Sequence, residues 1–289
     1  MNKIFCILFT CCMALFACSS HHTAVKPKIA NNGVNIAYID TGKGDTTLLF
    51  VHGWCINKGY WHNQTDYFSK NYRVVAIDLP GFGQSGKNRT DWSPQAFGKD
   101  VNAVMTELDL KNVVLIGHSM AGDIVVQAAA NDPKRVIALV GVDNFKYVGI
   151  APPPTAQANE AYDKAIDSLK HHFTAIATEY INEQLFSKST PDSIKKRVIN
   201  GALTCDSSIA AACMQRSDLD DATEIKKAGK KLYLINSDPS PTAVAGMQKK
   251  QIPFRLFTIK GTGHYPMLEA PAEFNRALAQ AINSMHVGS

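Results

Sequence analysis

The run "VVLIGHSMAGDIVVQAAA" (residues 113–130) constrains the fold more than any other part of the chain. Residues 113–116 are apolar and largely β-branched, which predicts a buried strand, and residues 123–130 predict a helix that ends before Pro133. Between them lies a G-x-S-x-[GA] pattern. A strand, a tight turn of small residues and a helix form the context in which this pattern holds a strained serine at a strand end. Ser119 is therefore a candidate nucleophile.

The small residues around Ser119 have a steric reason. A side chain two positions before or after the serine collides with neighbouring backbone when strand and helix approach closely. Gly117 meets this demand, whereas Ala121 stands where glycine is usual. Because glycine, serine and alanine are common, the pattern also fits an ordinary serine, and the rest of the chain must supply catalytic partners.

Strand and helix patterns alternate along most of the chain. Apolar runs near residues 34–40, 47–51, 72–77, 136–142, 231–236 and 254–259 predict further strands. This alternation predicts an α/β fold with a mostly parallel central sheet flanked by helices on both faces. Residues 145–228 contain helical patterns and no convincing strand, which predicts a helical cap inserted into a core of residues 33–144 and 229–289.

A serine nucleophile needs a histidine base and an acid that orients the base. His264 follows the strand pattern at 254–259 in a loop with two glycines, so it is the candidate base. Asp238 follows the strand pattern at 231–236 and is the predicted acid. Asp143, directly after the strand pattern at 136–142, is the alternative acid.

Two backbone N–H groups are candidates for binding the oxygen that gains charge during attack. Met120 directly follows Ser119 and begins a helix, and Trp54 follows "HG" at the end of a buried strand pattern. His52 and Asp78 are interpreted as structural, and Asp123 as a residue of the first helical turn. No cysteine or histidine spacing predicts a metal site, and no cofactor is predicted.

Five motifs in order resemble the α/β-hydrolase superfamily. They are "LLFVHGW" (48–54), "VVAIDLPGFGQS" (74–85), "VVLIGHSMAG" (113–122), "LYLINSD" (232–238) and "GTGHYPMLEAPAEF" (261–274). The order Ser119, Asp238, His264 is the order of an α/β-hydrolase triad. Two departures from the family pattern are Ala121 in the serine turn and a short acid loop without the glycine that often precedes the aspartate.

The resemblance implies a serine hydrolase that cleaves a small carboxylic ester or lactone through an acyl-enzyme. A C–C bond hydrolase with the same triad is an alternative, and so is a non-catalytic protein that binds a small ligand. Epoxide hydrolases and dehalogenases are branches of this superfamily that have aspartate as the nucleophile in this turn. A serine at residue 119 argues against both. The expected partner is a small-molecule substrate.

The N-terminus predicts export. A short positive start and the uncharged apolar residues 4–17 fit a signal peptide of residues 1–18, followed by a polar tether of residues 19–32. "LFAC" followed by two serines resembles a bacterial lipobox, which predicts acylation of Cys18 and a periplasmic or cell-envelope lipoprotein. Simple secretion, and a purely structural lipoprotein, are the alternatives.

Charge and cysteine content exclude other classes. The formal net charge is +5, without a dense run of lysine and arginine, so no nucleic-acid partner is predicted, and membrane contact is expected only through a lipid anchor at Cys18. Beyond the N-terminal segment the chain has Cys55, Cys205 and Cys213. Three cysteines are no disulfide framework, and whether Cys205 and Cys213 pair stays open.

Overall fold

Seven strands form one central sheet in the computed structural model, which describes residues 29–150, 155–215 and 219–285. The predicted signal peptide, nearly all of the tether, and Cys18 lie outside these residues. The strands are β1 (Ile29–Asn31), β2 (Val34–Ile36), β3 (Tyr38–Thr41), β4 (Thr47–Val51), β5 (Arg73–Ile77), β6 (Val113–His118), β7 (Val136–Val142), β8 (Leu232–Ser237) and β9 (Phe254–Ile259).

The sheet has the order β3-β5-β4-β6-β7-β8-β9, in which β3 is antiparallel to β5 and every other neighbouring pair is parallel. Every residue of β4, β6 and β8 is buried, as expected for strands covered on both faces. The predicted α/β-hydrolase fold with a mostly parallel sheet is confirmed.

The strand predicted near residues 34–40 is split at Ala37. The Ala37 carbonyl accepts a hydrogen bond from the Asp78 N–H, and its own N–H donates to the Ser85 hydroxyl. The bond from Asp78 continues the register of β3 and β5, whereas the bond to Ser85 takes the Ala37 N–H out of strand pairing, and β2 pairs with β1 as a separate hairpin.

Helices cover both the sheet and its carboxyl edge. They are α1 (His62–Phe68), α2 (Pro94–Glu107), α3 (Ala121–Asn131), α4 (Ala156–His171), α5 (Phe173–Tyr180), α6 (Asp192–Ala202), α7 (Ser207–Cys213), α8 (Asp221–Ala228), α9 (Val244–Lys249), α10 (Pro266–Glu269) and α11 (Pro271–Asn283). The Ser93 hydroxyl caps α2 by accepting from the Ala96 N–H, with Pro94 at the first helical position. No helix within the described ranges is long and apolar enough to cross a membrane.

Helices α4 to α8 lie between β7 and β8 in the sequence. The first helical pattern of the insertion is broken at His172, whose ψ of 38° leaves the helical range, and it ends in a π-helical turn at Ile181–Leu185. Helix α8 packs against α3, so the last part of this helical insertion belongs with the core.

The parallel strands bring five sequence-distant loops to one edge of the sheet. β4 leads to His52, β6 to Ser119, β7 to Asp143 and β8 to Asp238, and the loop with His264 follows β9. Ligand sites of open α/β sheets lie at this edge.

Candidate active site

Ser119 occupies a sharp turn between β6 and α3. Its φ of 54° lies in the left-handed region, where a non-glycine residue is strained. The turn is held by hydrogen bonds from the Ser119 N–H to the Val142 carbonyl and from the Asn144 amide to the Ser119 carbonyl. A Cβ at Gly117 would lie 2.3 Å from the Ala121 carbonyl oxygen, so glycine is required there, whereas the Ala121 methyl is buried without conflict.

The loop after β4 lies against this turn. A Cβ on Gly53 would stand 3.0 Å from the Ser119 Cβ, so the close approach depends on glycine. Trp54 and Met120 are the predicted oxyanion donors. Their backbone N–H groups donate no hydrogen bond to any residue that the structure describes. Both N–H groups are therefore free to bind an oxygen.

His264 contacts Asp143 directly. The imidazole Nδ1 lies 2.6 Å from Asp143 Oδ2, and the two side chains are 16% and 4% exposed. Within the parts of the chain that the structure describes, neither His264 Nε2 nor the Ser119 hydroxyl has a hydrogen-bond partner. The His264 ring lies 4.7 Å from the ring of His118, the residue before Ser119.

Asp143 is stabilised as a carboxylate. Its Oδ1 accepts from the Ser237 N–H at 2.8 Å and hydroxyl at 2.6 Å, and it lies 2.8 Å from Lys146 Nζ. Burial alone would raise the pKa of Asp143, but its bonds and attraction to His264 and Lys146 outweigh burial and hold that pKa well below its usual range.

The prediction that Asp238 orients the imidazole is wrong, and the alternative, Asp143, holds that position. Asp238 is exposed, and its Oδ1 accepts from the Gly261 N–H at 2.9 Å. The strand β8 extends to Ser237, which donates both its hydrogen bonds to Asp143 and leaves Asp238 beyond the site. The Asp238 carboxylate thus fixes the start of the loop that carries His264.

The backbone around His264 is held at four atoms. The His264 N–H donates to the Leu185 carbonyl at 2.8 Å, and its carbonyl oxygen lies 2.8 Å from His118 Nε2. The N–H groups of Gly263 and Tyr265 both donate to the Glu269 carboxylate. Sequence reasoning missed these supports because their contacts cross from the helical insertion and α10 to the loop.

His118 is a buried neutral imidazole. A carbonyl oxygen only accepts, so Nε2 carries the proton that bonds to the His264 carbonyl, and Nδ1 is buried without a partner among the described residues. Burial, followed by repulsion from His264, lowers the pKa of His118 from its ordinary 6.5 to about 3. His118 therefore adds no charge beside the candidate base.

His52 and Asp78 have the structural roles predicted for them. His52 Nε2 accepts from the Leu79 N–H, and Asp78 forms an ion pair with Lys58 at 2.6 Å. Burial is also the main cause that lowers the pKa of His52.

A cavity of about 720 Å³ begins beside the serine turn. Met120 is in its wall together with aromatic residues of the core, Trp92 and Phe97, and with Tyr162 and Met214 of the insertion. The cavity is therefore bounded by both parts of the chain and has room for a small organic molecule. In the part of the chain that the structure describes, no group of three or more histidine, cysteine or acidic residues is arranged to hold a metal ion.

The chain belongs to the α/β-hydrolase superfamily. The profile of the alpha/beta hydrolase fold family matches residues 46–271, which include all three residues of the Ser119, His264 and Asp143 site.

The curated relatives include enzymes that are named for different reactions. A non-heme chloroperoxidase of Streptomyces lividans is 38% identical over 113 residues, which are 38% of this chain and 41% of that protein. A pimeloyl-[acyl-carrier protein] methyl ester esterase of Nitrosomonas europaea is 23% identical over 82% of this chain and 96% of that protein. The chain spans less than half the length of the first two curated relatives it matches: the matched region is 29% of one protein and 41% of the other.

Solved structures share the fold. A thermophilic esterase from Thermogutta terrifontis matches with a TM-score of 0.76 at 21% identity, over 90% of this chain and 97% of that chain. Similarity at this level shows the architecture, and the chemistry must be argued from the site.

The depressed pKa of His118 predicts acid sensitivity. The unfolded imidazole binds a proton near pH 6.5 whereas the folded one does so near pH 3, so the free energy of unfolding falls as pH drops between these values. We expect His118→Gln to remove up to about 1.4 kcal/mol per pH unit from this slope between pH 6 and pH 4. Urea unfolding at several pH values measures it.

The matched control is His62→Gln, because the His62 side chain is 72% exposed. This variant should keep the slope of the unchanged protein. An identical slope in the His118 variant and the unchanged protein would show that His118 titrates normally when folded.

Proposed function

We propose that the protein is a serine hydrolase that cleaves a small carboxylic ester or lactone through an acyl-enzyme. The observation that carries the proposal is the 2.6 Å contact between His264 and the buried Asp143 at the edge of the sheet where Ser119 stands in its strained turn. The proposed nucleophile is Ser119, the base is His264, and the orienting acid is Asp143.

The ionised Asp143 fixes the tautomer of His264. Because Nδ1–H donates to the carboxylate, Nε2 is the atom that accepts the Ser119 proton as Oγ attacks the carbonyl carbon. The imidazolium then gives this proton to the leaving alcohol oxygen, and the acyl group stays on Oγ. A water molecule repeats the sequence and releases the acid. Hydrogen bonds of catalytic groups often form only with substrate present, which fits the unpartnered Ser119 hydroxyl.

Trp54 and Met120 are the proposed oxyanion donors. Met120 lies at the N-terminus of α3, where backbone N–H groups are unpaired and the helix dipole favours negative charge. Trp54 follows Gly53, whose lack of a side chain brings that loop against Ser119. Donors placed in this way stabilise the tetrahedral intermediate more than the substrate.

The helical insertion is proposed to act as a cap. The Trp54 indole donates to the Ala210 carbonyl at 2.8 Å and makes edge contacts with the rings of Phe173 and Tyr180. These contacts join the insertion to the proposed oxyanion loop, and residues of the insertion also line the cavity beside Met120. The size of that cavity supports a small substrate, and the relative named as a methyl ester esterase supports ester cleavage.

Outside the described residues, we propose that the chain is exported and acylated at Cys18, since its N-terminus resembles a lipobox. Full-length protein produced in a bacterium and fed an alkyne fatty acid should acquire label that Cys18→Ser abolishes. Cys12→Ser, a neighbouring cysteine, is the control and should keep the label. Equal labelling of the unchanged chain and the Cys18 variant would contradict acylation at this residue.

A fluorophosphonate probe tests the nucleophile. It should label the folded protein, and Ser119→Ala should abolish labelling, because the probe reacts with a serine that an adjacent base activates. Absence of labelling in folded protein favours the non-catalytic ligand binder. Hydrolysis of p-nitrophenyl esters of increasing chain length and of simple lactones, compared with a β-diketone, then separates ester cleavage from C–C bond cleavage.

The two aspartates give a paired test of the acid. Asp143→Asn should lower kcat for p-nitrophenyl acetate by about 10⁴-fold, because the imidazole loses its preferred tautomer. Asp238→Asn should leave kcat close to that of the unchanged protein, since an amide oxygen still accepts from the Gly261 N–H. A collapse of activity in the Asp238 variant alone would refute the assignment of Asp143, and thermal melting confirms that both variants are folded.

A further inference from the structure

Two cysteines that are distant in sequence lie together between the core and the helical insertion. Cys55 directly follows Trp54, is 1% exposed and has a φ of 52°. Cys205 lies between α6 and α7 of the insertion, and the two thiols are close enough that each shifts the pKa of the other. Both line a cavity of about 270 Å³. The two free thiols thus line one cavity at the junction of the two parts.

The neighbouring contacts hold this junction in place. Arg197 of α6 donates to the Gly59 carbonyl at 2.9 Å and lies over the Tyr60 ring, and the Tyr60 hydroxyl donates to the Arg197 carbonyl. A covalent bond between the cysteines would therefore join surfaces that are already packed.

We propose that Cys205 and Cys55 are a thiol-modification site, in which a low-molecular-weight disulfide such as oxidised glutathione converts the two thiols into an internal disulfide. The Cys205 thiolate attacks one sulfur of the reagent, which forms a mixed disulfide and releases one glutathione thiolate. Cys55 then loses its proton to that thiolate or to solvent and attacks the Cys205 sulfur, which releases the second glutathione. Two protein thiols are oxidised, and one glutathione disulfide is reduced to two thiols.

The environments of the two thiols set the order of these steps. The neighbouring Cys55 thiol is the main cause that lowers the pKa of Cys205, which is also partly exposed to solvent. Burial, followed by the neighbouring Cys205 thiol, raises the pKa of Cys55. Cys205 is therefore the thiol that meets the reagent, and Cys55 is the resolving thiol.

Cys213 is the matched control. It lies at the end of α7 in the wall of the larger cavity, and burial, the first cause, raises its pKa to about 12. The sequence left a Cys205–Cys213 pair open, but the thiol that shares the smaller cavity with Cys205 is Cys55.

The experiment treats the folded full chain with oxidised glutathione, blocks remaining thiols with iodoacetamide and maps peptides by mass spectrometry. Trypsin leaves Cys205 and Cys213 on one peptide, so a second cleavage before Asp206 is needed to separate them. We expect a peptide pair joined through Cys55 and Cys205, also in Cys213→Ser. Cys55→Ser should retain a glutathione adduct on Cys205, and Cys205→Ser should form neither adduct nor crosslink.

A Cys205–Cys213 crosslink, or unreacted Cys55 and Cys205 in folded protein, would overturn the proposal. The crosslink should also raise the thermal midpoint reversibly, since it closes a long loop, and reductant should restore the original value. An unchanged midpoint despite complete crosslinking would show that the bond does not tether the insertion. None of these measurements requires hydrolytic activity.

Discussion

The arrangement of the site depends on the contacts of one buried group, the carboxylate of Asp143. A carboxylate removed from water is costly unless hydrogen bonds and opposite charge compensate. Asp143 receives both: one oxygen faces His264, and the other faces the end of β8 through Ser237 and the ammonium group of Lys146. The compensation for burial therefore also fixes the loops after β7 and β9 relative to each other.

His264, the proposed base, is held through its backbone as well as through its ring. Leu185 and His118 bond to the N–H and carbonyl of His264, and Glu269 accepts from the residues on both sides. Glu269 also accepts from Thr190 of the insertion at 2.7 Å. The loop consequently has little freedom, although it contains two glycines, and only the ring nitrogen Nε2 is left without a partner among the described residues.

Much of the fold could be predicted from the sequence because each strand is marked by its own local run of residues. Buried apolar runs predicted the parallel strands, and small residues after β6 predicted the serine turn. The choice of acid could not be read in the same way. Asp143 and Asp238 both follow strands that pair with each other, so their positions in the chain are equivalent. The choice depends on side-chain direction, and the burial of Ser237 beneath Asp143 decides it.

The ends of some strands and helices could not be predicted from the sequence pattern either, because single hydrogen bonds set them. The Ala37 N–H bonds to the Ser85 hydroxyl, from a distant loop, at the point where the predicted strand divides. The break at His172 similarly divides a helical pattern that has no proline or glycine to mark it.

The hydrogen bond from the His264 N–H to the Leu185 carbonyl has a consequence for how such enzymes diversify. Because the π-helical turn at Ile181–Leu185 supports the backbone of the proposed base, the insertion is not an exchangeable lid on a self-sufficient core. Grafting a foreign insertion to alter selectivity must reproduce that carbonyl, or it misplaces the imidazole of His264.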